Sequence, residues 1–222
     1  MIELHNLTKS YTTPKGRHYL FKNLNITLPA GKSVGLLGRN GAGKSTLLRI
    51  IGGIDYADSG EVISDSTISW PVGLAGGFQG SLTGRQNVRF VSRLYVPESI
   101  VAEKVAFVEE FAEIGKYFDM PVKSYSSGMK SRLAFGLSMA FDFDYYLIDE
   151  VTAVGDAKFR KKSADLMAQL RERASFIVVS HNLKDLERQC DVGLMLLDGQ
   201  ATFFDDIVEA VNVYEANILA KT

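Results

Sequence analysis

The sequence predicts an α/β fold: a P-loop NTPase core whose mixed sheet carries an antiparallel β subdomain, with an α-helical subdomain inserted into it. Three observations carry the prediction. Gly38-Arg39-Asn40-Gly41-Ala42-Gly43-Lys44-Ser45 fits G-x-x-x-x-G-K-[ST], and it lies between a short apolar run, Ser33–Leu37, and a helix start, Thr46–Ile51. A second apolar run, Tyr145–Ile148, ends in Asp149-Glu150. From about 85 to 141 the apolar spacing is helical and no β-rich run interrupts it.

Bulk properties bound the answer. At 222 residues the chain is long for one domain and short for two. Its 25 basic and 26 acidic residues nearly balance, so no nucleic-acid partner is expected. An apolar fraction of 46% supports a large core. The single cysteine, Cys190, rules out an internal disulfide, fits a reducing compartment and reads as a small buried hydrophobe. Met1-Ile-Glu-Leu-His lacks the basic-then-apolar pattern of a signal peptide. Ser66–Gly84 is uncharged over 19 residues, about the length of a membrane span. Five glycines and a proline scatter its apolar residues, so a spanning helix is rejected and membrane association is expected to come through a partner.

Taken in order, Ile2–Leu7 alternates as an edge-type strand, and Thr8–Arg17, with Pro14, Gly16 and Tyr11, reads as a loop. Tyr19–Leu28 alternates again and ends in the turn Pro29-Ala30-Gly31. After the phosphate loop and its helix, Gly52-Gly53 ends regular structure. Strands follow at Glu61–Ile63 and Ile68–Trp70. Pro97 suits a first helical position. Ile100, Lys104, Val108 and Phe111 then share a helical track, with Val101, Val105 and Ala112 beside it. Asp119-Met120-Pro121 breaks this pattern, and Gly128 opens a further helix with Leu133, Leu137 and Ala140 on one face. The α/β frame resumes with the strand Tyr145–Ile148, a helix Lys158–Arg173, a buried strand Ser175–Val179 and a helix Leu183–Cys190. Strands Val192–Leu197 and Ala201–Phe204 flank the hairpin signal Asp198-Gly199, and a short helix closes the chain.

The chemistry begins at the glycine-rich loop. Glycine at 38, 41 and 43 allows positive φ and a close backbone approach, so successive N–H groups face phosphate oxygens at a helix N-terminus. The expected binding set is Gly38, Arg39, Asn40, Gly41, Ala42, Gly43, Lys44, Ser45 and Thr46. Lys44 reaches the β- and γ-phosphates and Ser45 holds Mg²⁺. A turn that binds nothing is the alternative, and the flanking strand and helix argue against it. An apolar strand ending in a carboxylate sets Asp149 at the carboxyl edge of a parallel sheet, where it suits Mg²⁺. Glu150 can then orient or polarise the attacking water. A plain capping role for the acidic pair is the competing reading.

Four further segments, in order, resemble the ATP-binding subunit of ABC transporters, and the resemblance covers essentially the whole chain. Tyr125-Ser126-Ser127-Gly128-Met129 resembles the family signature, commonly Leu-Ser-Gly-Gly-Gln. Asp149-Glu150-Val151-Thr152 resembles the Walker B stretch, Ala153-Val154-Gly155-Asp156 the D-loop, and His181 the switch histidine. Ser127, Met129 and Val151 depart from the usual residues, yet the Ser126 hydroxyl and the bare backbone of Gly128 remain. The resemblance implies a single ABC ATPase domain over 1–222, with a helical subdomain at about 85–141. It implies two copies that pair head to tail and sandwich two ATP molecules, Ser126 and Gly128 of each closing on the other's nucleotide. It also implies that His181 meets the γ-phosphate or catalytic water, that Tyr11 stacks on adenine, and that Asp156 joins the nucleotide site. Gln79 stands for the glutamine that links the Mg²⁺ site to the helical subdomain. An ungapped alignment puts Leu74 there, so either the loop is shortened or the role has passed elsewhere.

Ile68–Gly84, Tyr125-Ser-Ser-Gly-Met, Phe143-Asp-Tyr-Tyr and Asp149–Asp156 resemble the ATPases of bacterial capsular-polysaccharide exporters. Those of O-antigen and teichoic-acid exporters are near relatives. Some O-antigen subunits carry a long carbohydrate-binding C-terminal domain, and an end at Thr222 leaves no room for one, which favours capsule. The implied partners are a second copy, integral-membrane permease subunits and further envelope export proteins. The implied location is the cytoplasmic face of the inner membrane. Ser66–Gly84 and the helical subdomain are expected to receive a cytoplasmic helix of the permease. Two readings from other classes stand beside this one. A soluble ABC-type ATPase acting on DNA or ribosomes would carry a coiled-coil insertion or a second ATPase domain, and neither is present. A regulatory nucleotide-binding module without turnover would not need both Glu150 and His181.

Overall fold

The computed structural model describes residues 1–14, 16–149 and 156–219, leaving aside the side chains of residues 75 and 219. These residues form two compact units. The first comprises Met1–Trp70, Phe143–Glu150 and Arg171–Thr222; the second comprises Pro71–Asp142 and Val151–Leu170.

The first unit holds two sheets. In the three-stranded sheet, β1 (Ile2–Thr13) lies between β2 (Gly16–Leu28) and β4 (Ser59–Ser64), antiparallel to both. The six-stranded sheet runs β5 (Ile68–Pro71), β6 (Tyr145–Asp149), β7 (Ser175–Val179), β3 (Val34–Gly38), β8 (Val192–Leu197) and β9 (Gln200–Phe204). β6, β7, β3 and β8 pair in parallel, and β9 is antiparallel to β8. The central strands are short because each is a continuous buried run, which is how strands covered on both faces read in sequence. Helix α1 (Lys44–Ile51) follows β3, and Leu47 and Leu48 join Leu36, Tyr145, Leu147, Ile177 and Leu194 in one core. Asp198 and Gly199 both take positive φ, the conformation that a two-residue turn between β8 and β9 requires.

The expected loop at Thr8–Arg17 is corrected: β1 and β2 run on through it, pairing Ser10 with Tyr19, Tyr11 with His18, Thr12 with Arg17 and Thr13 with Gly16. Polar composition suggested a loop, but the threonine and tyrosine residues there suit a pleated ladder and each finds a cross-strand partner. Cys190 is buried as expected, and desolvation pushes its thiol up to about 12.

In the second unit, α2 (Gly84–Tyr95), α3 (Glu98–Ala112), α4 (Ser127–Met139) and α5 (Ala157–Leu170) pack around Val101, Val105, Val108, Leu133 and an aromatic cluster. Phe111 stacks on Phe107 and Phe135, and Phe159 meets Phe111 and Phe135 edge-on. Thr83 starts α2 with a reciprocal capping box to Gln86. Pro97 sits at the N-cap of α3, one position before the expected first turn. Arg85 grips Glu109 with two hydrogen bonds and Asp119 with two more while lying over the Phe118 ring. Among the described residues no helix is long and apolar enough to cross a membrane.

One packing constraint in the first unit is sharp. Helix α6 (Leu183–Gln189) leads through β8 and β9 to the closing helix α7 (Ile207–Leu219), which lies on β8 and β3. A Cβ on Gly193 would overlap the Ala210 methyl. Gly193→Ala is therefore expected to destabilise by about 2 kcal/mol through overpacking. In a thermal melt that is a fall of roughly 4–8 °C. Adding Ala210→Gly should recover part of the loss, and a full-sized fall in the double variant would contradict the assigned clash.

Candidate active site

Strand register gathers the site. Asp149 pairs with Val179, and Val179 pairs on its other side with Leu36. The carboxyl ends of β6, β7 and β3 therefore finish in one row, the edge where ligands bind in open parallel sheets. Beyond β3 the chain turns through Gly38–Gly43 into α1; beyond β7 it reaches His181 two residues later.

The turn needs glycine for two different reasons. A Cβ on Gly38, at φ 154°, would come within 2.6 Å of the Leu196 carbonyl oxygen. Gly43 occupies the left-handed region as the N-cap of α1, with φ 98°. The first α-helical bond is Leu47 N–H to Gly43 O, at 2.8 Å, so the N–H groups of Lys44, Ser45 and Thr46 precede it and face an incoming anion. Lys44 arches back over the loop, its ammonium donating to Gly38 O at 2.6 Å and Arg39 O at 3.2 Å. Burial holds this ammonium below the ordinary lysine range, and the Asp149 carboxylate pulls the other way. An ammonium kept near a carboxylate and backbone carbonyls in a partly dry site is a strong partner for phosphate oxygens.

Ser45 Oγ donates to Asp149 Oδ1 at 3.0 Å. These are two hard oxygen donors, the chemistry Mg²⁺ selects. Neighbouring ligands of an octahedron with about 2.0–2.1 Å arms stand about 3 Å apart, which is the separation seen. The pair fits the metal that the sequence resemblance implies.

A cleft of ≈ 330 Å³ opens at Ser45. Asn40, Gly41, Gly43, Lys44, Ser45 and Thr46 form its floor; Tyr11, Leu20, Val179 and His181 line the rest. Tyr11 projects from β1 with its ring exposed, and the Lys9 ammonium lies 5.5 Å from the ring centroid. Arg39 and Ala42 line a second cavity of ≈ 680 Å³ with Asn40 and Gly41. Leu20 and Val179 were not anticipated. Val179 carries the signal of being the last residue of a buried strand, whereas nothing in the sequence marks Leu20.

The second unit holds the remaining expected residues. Ser126 is the N-cap of α4, its Oγ accepting from Met129 N–H at 3.2 Å. Its hydroxyl proton stays available for a further acceptor. A Cβ on Gly128 would meet only Ser126 Oγ, at 4.0 Å, so the helix start is open. The preceding Tyr125 is buried and donates to Tyr117 O at 2.6 Å, and Gly84 leaves the room its hydroxyl needs. Asp156 caps α5 by accepting from Phe159 N–H and pairs with Arg132 at 2.8 Å, which keeps its carboxyl below the usual range. Gln79 has an exposed side chain on a main chain bonded to Asn87. Glu150 and the stretch Val151–Gly155 lie outside the described residues.

Comparison with known proteins agrees with this arrangement. Residues 21–153 match the protein-family model described as ABC transporter. The chain is 63% identical over 219 residues to the polysialic acid transport ATP-binding protein KpsT of Escherichia coli, covering 98% of this chain and 100% of that one. It is 43% identical to the capsule polysaccharide export ATP-binding protein CtrD of Neisseria meningitidis serogroup B, over 97% of this chain and 99% of that one. A solved dimeric ATP-binding cassette, in a post-hydrolysis state with ADP and Pi, superposes with a TM-score of 0.75 at 24% identity, covering 93% of this chain and 99% of the cassette chain. That structure supports the α/β cassette fold. With a family model over more than half its length and relatives this similar from end to end, the chain belongs to the ABC transporter family.

Proposed function

We propose that this chain is the ATP-hydrolysing motor of an exporter that moves capsular polysaccharide across the bacterial inner membrane. The observation that carries the ATPase reading is the Ser45–Asp149 contact, with Ser45 and Lys44 both lining the glycine-rich cleft. The names of the relatives KpsT and CtrD, transport and capsule-export ATP-binding proteins, support the cargo class.

In this reading the N–H groups at the start of α1 and the Lys44 ammonium bind the β- and γ-phosphates, and Tyr11 stacks on the adenine. Ser45 and Asp149 hold Mg²⁺, with Gln79 as a further oxygen donor, and the metal supplies neutralisation of charge on the phosphates. Glu150 takes a proton from the attacking water, whose oxygen forms the new bond to the γ-phosphorus as the bond to the bridging oxygen breaks. His181 holds the γ-phosphate or that water. Ser126 and Gly128, at the N-terminus of a 13-residue helix, close on ATP bound to a second copy. Two copies thus form a head-to-tail clamp with two nucleotides between them. Ser66–Gly84 and the helical subdomain receive a cytoplasmic helix of the permease, which holds the ATPase at the inner membrane. Further envelope export proteins complete the pathway, and no nucleic acid takes part.

Glu150→Gln is expected to lower ATP hydrolysis by roughly 10²–10⁴-fold, the ordinary weight of a general base, while leaving ATP binding intact. Steady-state turnover compared with wild type decides this, and equal rates would remove Glu150 from the chemistry.

Gly128→Asp tests the clamp. A carboxylate in the first turn of α4 suits the helix dipole, so the fold should hold. The same charge repels a γ-phosphate, so hydrolysis should fall about tenfold or more, on the scale of a lost charge-assisted contact. ATP binding to the isolated chain should not change, and its loss there would contradict action on a second copy's nucleotide.

A further inference from the structure

Lys9, two residues before Tyr11 on β1, is only 8% exposed. An ammonium this buried needs partners, and it has them. It donates to Asp55 Oδ1 at 2.9 Å and to Tyr56 O at 2.5 Å. It also lies over the Tyr11 ring, 5.5 Å from the centroid. Asp55 is held in turn from the last turn of α1. The Ile54 and Asp55 N–H groups donate to Arg49 O at 2.9 and 3.2 Å, and Asp55 Oδ1 accepts from Tyr56 N–H at 2.8 Å. The neighbours of Lys9 are tied to the same connection: Asp58 N–H donates to Thr8 O at 2.8 Å, and Ser10 Oγ donates to Asp58. The segment 54–58 that leaves α1 thus grips three successive residues of β1. The consequence is geometric. Tyr11 shares one cleft with Lys44, Ser45 and Thr46, yet it stands on β1 and they stand on α1. The Lys9–Asp55 bridge ties those two elements together from the far end of the helix.

We propose that Lys9 is a positioning residue for nucleotide binding: anchored through Asp55 to the end of α1, its ammonium fixes the Tyr11 ring at a set distance from the phosphate loop, ready for the base. The proposal rests on the adenine role given to Tyr11 above. Lys9 acts through Tyr11 and not on the nucleotide itself. The Tyr11 ring is 43% exposed, and an exposed ring that the nucleotide must order for itself costs affinity. A cation already seated over the ring removes that cost before the nucleotide arrives. It follows that Lys9 matters to a ligand that carries a base and not to one that carries phosphates alone.

The test uses that difference. ADP and inorganic pyrophosphate are titrated calorimetrically into the purified full chain: wild type, Lys9→Met, Tyr11→Ala and the double variant. Lys9→Met keeps the length of the side chain and removes its charge. It should weaken ADP about two- to fivefold, the weight of a cation–π contact at an exposed ring, and leave pyrophosphate unchanged. Tyr11→Ala should weaken ADP about tenfold, the scale of a lost base stack, again with pyrophosphate unchanged. The double variant should bind ADP no more weakly than Tyr11→Ala alone. Wild-type ADP affinity in Lys9→Met, an equal loss for pyrophosphate, or a double variant weakened by the product of the single effects overturns the proposal. Wild-type ADP affinity in Tyr11→Ala instead overturns the adenine role of Tyr11, and the proposal with it. If Lys9→Met does not fold, Asp55→Ala removes the anchor and leaves the cation. It should weaken ADP about two- to fivefold with pyrophosphate unchanged, and wild-type ADP affinity there overturns the proposal.

Discussion

The parallel pairing of β6 to β7 and of β7 to β3 sets everything at the first unit's candidate site. It brings Asp149, Val179 and Leu36 to a common edge, and it does so with backbone hydrogen bonds alone. Because side chains alternate along a strand, a slip of one residue would turn Asp149 to the other face and send Ile148 toward Ser45. The buried faces of these strands oppose such a slip, since Leu36, Leu147 and Ile177 would leave the core. The 3.0 Å contact of Ser45 with Asp149 is therefore a product of core packing as much as of the two residues that make it.

The loop between β3 and α1 adds the phosphate-binding elements at little cost in side chains. Glycine at 38 avoids the Leu196 carbonyl and glycine at 43 opens the helix, so backbone dipoles and one lysine create the positive potential. Partial burial of Lys44 has two opposing consequences. It weakens the ammonium's hold on its proton, and it strengthens every contact that the charged form makes. An anionic ligand resolves that tension in favour of the charged form.

The second unit solves a different problem, the presentation of Ser126 at an open helix start. Its phenylalanine cluster and the Arg85 network fix α3 and α4, while Tyr125 and Gly84 anchor the residue just before the cap. Asp156 is drawn into the same unit by Arg132, whose guanidinium also lies over the Phe159 ring. Its two carboxylate oxygens thus serve the start of α5 and α4's cation, a structural use that the D-loop resemblance did not suggest.

By itself the sequence determined the α/β class, nearly every helix and strand, the phosphate loop and the strand-end carboxylate. These rest on local pattern: spacing of apolar residues, glycines that allow positive φ, and charge following an apolar run. It misjudged Thr8–Arg17, because polar residues at the end of a hairpin pair through backbone bonds that composition does not reveal. Tertiary structure alone decided that Asp149 meets Ser45 across 104 positions of chain, that Leu20 walls the cleft, and that Asn87 claims both main-chain groups of Gln79. The reason is physical. A motif records which atoms are on offer, whereas contact depends on strand register and on which buried polar groups must find partners, and those are settled only when the whole core packs.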